Sequence, residues 1–198
     1  MKRPIAASIL ACLFVYASVA AHVSPMVQLV RKGEFVRTAL PGASQYFERG
    51  LDRGAEALNR LAAAINWQPS AQEIKVYVGR NAESRLVGSV VFLRVPSEHG
   101  PVGVGVAFNA DGRIAQAAVT EVGSEPLAWV RPLLDAGALA GVRGLAAASH
   151  VDATAMAPEV QGRMSRYYAE VIADGIERAG VVVEAEQLTS AAAGDESP

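Results

Sequence analysis

LVGSVVFLRVPSEHGPVGVGVAFNADGRIAQAAVTE, residues Leu86 to Glu121, decides how the rest of the chain is arranged. Three apolar segments, Leu86–Val95, Val102–Phe108 and Ile114–Thr120, are separated by two polar, turn-forming stretches. In the middle segment Val102, Val104, Val106 and Phe108 alternate with Gly103, Gly105 and Ala107, a period of two that predicts a strand. One face of that strand is bulky and the other nearly bare backbone, so the bare face admits either a closely packed helix or a flat ligand. Asn109-Ala110-Asp111-Gly112 has hairpin chemistry, with Gly112 placed for positive φ. The reading is an antiparallel meander.

Working outward, Ile74, Val76 and Val78 predict one further strand before the meander. Leu51, Ala55, Leu58, Leu61, Ala62 and Ile65 recur at helical spacing and predict a helix over Tyr46 to Asn66, weakened by Gly50 and Gly54 at about 1 kcal/mol each. Val27 to Val36 is open between helix and strand. Beyond the meander, Leu127 to Leu134 reads as a short amphipathic helix, with Trp129, Leu133 and Leu134 as an expected exposed apolar patch. A long helix is predicted from Pro158, with Glu159 at its positive end, an apolar stripe of Val160, Met164, Tyr167, Tyr168, Val171, Ile172 and Ile176, and Gly180 as its cap. Val181-Val182-Val183 is expected as an edge strand. The fold class is α+β: an antiparallel meander packed against an N-terminal helix and a long C-terminal helix.

The 198 residues are 51% hydrophobic with a net charge of -2, enough apolar content for one core and no basic footprint for nucleic acid. Lys2 and Arg3 precede an apolar run from Ile5 to Ala21 that ends in small residues, the pattern of a cleaved secretory signal over residues 1–21. The alternatives are an uncleaved anchor, since about 17 apolar residues is the lower limit for crossing a bilayer, and a lipoprotein processed at Cys12. The expected location is periplasmic or secreted, with membrane contact only if the segment is retained. Cys12 is the sole cysteine, so cleavage leaves no thiol or disulfide, and His22, His99 and His150 are too scattered for a metal site. No partnered nucleophile or acid and base pair stands out as catalytic. Residues 22–39 read as a preceding segment, 40–187 as the domain and 188–198 as an unstructured tail.

The order Leu40-Pro41-Gly42-Ala43, Val76-Tyr77-Val78-Gly79, Leu86-Val87-Gly88, Glu98-His99-Gly100-Pro101-Val102, Asn109 to Ile114 and Val151-Asp152-Ala153 before a helix resembles the FMN-binding domain of periplasmic flavin-carrying respiratory subunits. That family's motif, Asp-small-x-Ser/Thr-Gly-Ala-Thr, ends in a threonine esterified to FMN. Here Asp152, Ala153 and Ala157 match, Thr154 is the variable position, Ala155 and Met156 replace Ser/Thr and Gly, and Pro158 replaces the acceptor. Proline has no hydroxyl, so a covalent link at Pro158 is excluded. The resemblance implies FMN held without a covalent bond, with His99, Gly103, Gly105, Glu125, Asp152, Thr154, Ala155, Met156 and Ala157 as its contacts and the phosphate at the N–H groups of the following helix. By residue type alone Thr154 reads first as a turn or helix-capping residue, and His99 as a solvated loop residue. The implied role is an accessory in periplasmic electron transfer, with a redox protein or membrane respiratory complex as partner. The alternative is a flavin-free binding or assembly module that keeps the fold.

Overall fold

A computed structural model describes residues 25–52, 55–69, 74–147, 149–158 and 162–195. The segment expected as a signal, with Lys2, Arg3 and Cys12, lies outside the described residues, as do His22, Gly54, Glu159 and Val160.

Six strands form one antiparallel sheet: β1 (Met26–Gln28), β2 (Gln45–Leu51), β3 (Ile74–Arg80), β4 (Leu86–Val95), β5 (Val102–Asn109) and β6 (Ile114–Gly123), in spatial order β1-β6-β5-β4-β3-β2. The meander β4-β5-β6 is its centre. At the β5–β6 turn Gly112 takes φ 71°, and Asn109 Oδ1 accepts from the N–H groups of Asp111 at 3.0 Å and Arg113 at 2.9 Å. The helices are α1 (Lys32–Ala39), α2 (Glu56–Ala64), α3 (Leu127–Asp135), α4 (Ala153–Met156) and α5 (Arg163–Asp195), with a 3-10 turn at Ala138–Val142.

The alternation in β5 sorts the molecule into layers. Val102, Val104, Val106 and Phe108 join the large core under α5, whereas Ala107 joins a smaller core of Phe35, Val36, Ala39, Leu40 and Val90 beneath α1. Both faces of β5 are therefore buried. Ahead of β2, β1 pairs with β6, and α1 covers the bare face of the sheet.

Several expectations are corrected. Gln45–Leu51 is a strand and not the first turns of a helix, because Tyr46 and Phe47 suit a pleated surface and β3 offers a seven-residue edge, from Gln45 opposite Arg80 to Leu51 opposite Ile74. The helical spacing holds only for its second half, which is α2. Pro158 lies in a turn and is not the first residue of the long helix, which begins at Arg163. Gly180 does not end that helix. The helix runs through it, through Val181-Val182-Val183, where an edge strand was expected, and on to Asp195 inside the expected tail. Burial decides the matter: each valine packed into the core gains roughly 1.5–3 kcal/mol, against a few tenths for β-branching in a helix, and all three are buried. Gly180 is there for contact, since a Cβ would run into the carbonyl of Ala147. Leu133 is fully buried, and Trp129 and Leu134 pack against the core, so they form no exposed patch.

Candidate functional site

The residues expected to hold a ligand fall into three places. The first is the bare face of β5. Gly103 faces Arg94 on β4 and Glu121 on β6, whose side chains meet across it, Nε to Oε1 at 2.5 Å and Nη2 to Oε2 at 3.1 Å. The ring of Phe92 lies over Gly105, with Cε1 2.8 Å from where a Cβ would stand. The two glycines are thus roofed by neighbouring strands' side chains, and α1 packs beyond them.

The second place is the loop between β4 and β5. His99 Nδ1 is 3.1 Å from Oε1 of Glu125, so these two expected residues do come together. The His99 ring sits 5.0 Å from Trp129, Trp129 stacks on Tyr168 at 5.8 Å with 12° between planes, and Tyr167 meets Tyr168 edge-on at 5.1 Å. The Tyr168 hydroxyl is 3.3 Å from Ser97 Oγ, which donates to the Gly100 carbonyl, and Tyr167 accepts from the Glu98 N–H at 3.1 Å. Burial pushes the Tyr168 hydroxyl above its usual range. The tyrosines serve as core and loop anchors. Their place on the apolar stripe signals that much, but their partnership with Trp129 and His99 depends on the fold.

The third place is the turn before the long helix. Asp152 caps α4: its Oδ1 accepts from Thr154 N–H at 2.8 Å and Ala155 N–H at 3.2 Å. Thr154 and Ala155 are exposed, whereas Met156 and Ala157 are buried in the main core. The two N–H groups that would greet a phosphate are therefore occupied by a carboxylate of the chain itself. Val151 N–H donates to Glu177 Oε1 at 2.6 Å, which ties the turn to α5. Among the described residues no hydrogen bond or ion pair joins Asp152 or Thr154 to His99 or Glu125.

A fourth feature was not expected. A cleft of about 540 Å³ opens where β3 begins and β4 ends, within the size range of small-molecule sites. Lys32, Lys75, Arg94 and Arg178 line it with the aromatic residues Trp67, Tyr77 and Phe92. Arg178 lies 5.6 Å over Trp67, and Lys32 5.3 Å over Phe92. Lys75 pairs with Glu48 at 2.6 Å, and Arg178 with Asp174 at 2.7 Å. Hydrogen bonding from Arg94 holds the Glu121 carboxyl below its ordinary range, with the charges of Arg94 and Lys32 adding to it against the opposing effect of burial. Burial, then the neighbouring Glu48, raises the Tyr77 hydroxyl. These side chains come from α1, the segment after α2, two strands and α5, so no local motif announces them.

Among the described residues no group of three or more His, Cys, Asp or Glu is placed to hold a metal ion, and no helix is long and apolar enough to cross a membrane. The fold and these sites define a mixed α+β domain with helices on both faces of a six-stranded antiparallel sheet. Compared with family models, curated proteins and solved structures, the chain has no match.

Proposed function

We propose that this chain is an exported binding module that works without a covalent flavin and contacts another redox protein of the same compartment. The observation that carries the reading is the cap at Asp152. Its carboxylate takes the N–H groups of Thr154 and Ala155, Met156 and Ala157 are committed to the core, and Pro158 has no hydroxyl to esterify. A phosphate at this turn would have to displace a hydrogen-bonded carboxylate and then sit beside its charge.

A second reading places FMN, non-covalently, elsewhere. The cleft at the start of β3 and the end of β4 favours it, because its cationic and aromatic lining suits a flat anion. One experiment separates the two. The purified protein is titrated with FMN up to high micromolar concentration, following flavin fluorescence, and proximity cross-linking in the periplasm is analysed by mass spectrometry. The binding-module reading expects a colourless protein, no saturable quenching and one recurrent redox partner. Saturable one-to-one FMN binding that is lost in Arg94→Ala replaces it with the second reading, and loss in Asp152→Asn or Thr154→Ala instead returns the flavin to the turn. Recovery of no recurrent partner ends the first reading.

A further inference from the structure

We propose that the outer edge of β2 joins a second copy of this chain, extending the sheet across a two-fold axis that passes between the two Phe47 residues. β2 lies at the end of the sheet and pairs with β3, so one side of its backbone carries N–H and C=O groups that no other strand meets among the described residues. The two edges of the sheet are built differently. β1 is three residues long, and a very short edge strand is one of the ways a sheet avoids a neighbour. β2 offers seven residues, in unbroken register with β3 and with no proline or bulge to turn a neighbour away.

Charge does not protect this edge either. Glu48 binds Lys75 at 2.6 Å and Arg49 binds Glu186 at 2.7 Å, so both charges of the strand are answered within the chain. Every residue of β2 except Leu51 is exposed, with Tyr46 at 41% and Phe47 at 46%. Consecutive residues of a strand point to opposite faces, so both faces of β2 are open at this point.

The residue order selects the occupant. A two-fold axis perpendicular to the sheet makes the strands antiparallel and puts opposed residues on the same face, so even positions oppose even and odd oppose odd. An axis at Glu48 or Arg49 sets that residue against its own copy, a destabilising like-charge pair. An axis at Tyr46 or Gly50 aligns only the three residues at one end of each strand. An axis at Phe47 opposes Phe47 to Phe47, Tyr46 to Glu48 and Gln45 to Arg49, with an aromatic pair at the centre and no like charges opposed. The strand is self-complementary in that register, as an isologous contact requires.

The test is a cysteine scan of the edge in the purified full chain carrying Cys12→Ser. Cα atoms directly opposed in an antiparallel pair lie about 4.5–5.5 Å apart, within disulfide reach. Only the residue on the axis meets its own copy, so Phe47→Cys is expected to cross-link at least tenfold faster than Glu48→Cys or Arg49→Cys under mild oxidation. Sedimentation of the chain without an introduced cysteine should show a monomer–dimer equilibrium with a Kd of about micromolar order, because one strand pair is a small interface. Phe47→Lys changes an exposed position and sets two like charges on the axis, and it should weaken the dimer at least tenfold with the fold intact. A chain that stays monomeric at several hundred micromolar overturns the proposal and leaves the edge to a strand of a different protein. Equal cross-linking at the three positions, or a dimer indifferent to Phe47→Lys, overturns it as well, since association through another surface gives that result.

Discussion

Arg94 and Glu121 reach each other from two different strands, β4 and β6, by passing over Gly103 of the strand between them. In a sheet the residue between two such partners normally raises its own side chain into the gap, about 5 Å from each. Here a Cβ would collide with Glu121 and stand 2.8 Å from Thr120 Oγ1. Gly103→Val is therefore expected to destabilise the protein by about 1–3 kcal/mol through overpacking and loss of the bidentate pair, read as a lower urea midpoint with an unchanged slope. A midpoint equal to wild type would mean that the pair contributes nothing across this gap.

The same pair has a pH dependence whose sign follows from the lowered carboxyl of Glu121. Its ordinary value is 4.5 and its folded value lies below that, so its contribution is complete above about 4.5 and is lost as pH falls through the folded value. Urea midpoints from pH 7 down to pH 3 should fall in the acid range, and Glu121→Gln should flatten part of that fall. Glu48 is also lowered, by Lys75, but it is exposed and screened and should add little. An identical acid slope in Glu121→Gln would remove the pair from the account.

Gly180 offers a test of sign. In an ordinary helix interior Gly→Ala stabilises by about 1 kcal/mol. At this position the new methyl meets the Ala147 carbonyl, and that loop is pinned to the β5–β6 turn by the 2.9 Å bond from Ala147 N–H to the Gly112 carbonyl. Gly180→Ala should therefore destabilise, by a net of about 1–3 kcal/mol, measured by thermal and urea unfolding. A gain in stability would show that the loop yields.

Removing the cap at Asp152 separates structure from ligand binding. Asp152→Ala frees the N–H groups of Thr154 and Ala155 and should cost about 0.5–2 kcal/mol. Asp152→Asn, which keeps an acceptor oxygen, should recover most of it. Differential scanning calorimetry on the three proteins decides whether the carboxylate is a cap, and a loss of less than about 0.3 kcal/mol in the alanine variant would count against that role.

Local chemistry was legible where it was self-sufficient. The alternation of Val102 to Phe108 required a strand with two unlike faces, the Asn109-Ala110-Asp111-Gly112 turn required a hairpin, and the meander followed. The pairing of His99 with Glu125 was within reach because each had been marked on other grounds. What failed was local preference opposed by burial or by an open edge. Tyr46 to Leu51 gave way to the edge of β3, and Val181 to Val183 gave way to burial in the main core.

By itself, then, the sequence determined the α+β class and the central hairpins, because each depends on residues a few positions apart. Tertiary structure alone decided which groups those side chains meet. It placed Asp152 on the N–H groups of its own helix and Phe92 and Glu121 over the bare glycines. It also gathered Lys32, Trp67, Arg94 and Arg178 around one cleft and left Glu184 with a buried oxygen unanswered. These are contacts between distant segments, and their energies are set by distance and desolvation, quantities that exist only once the chain has closed on itself.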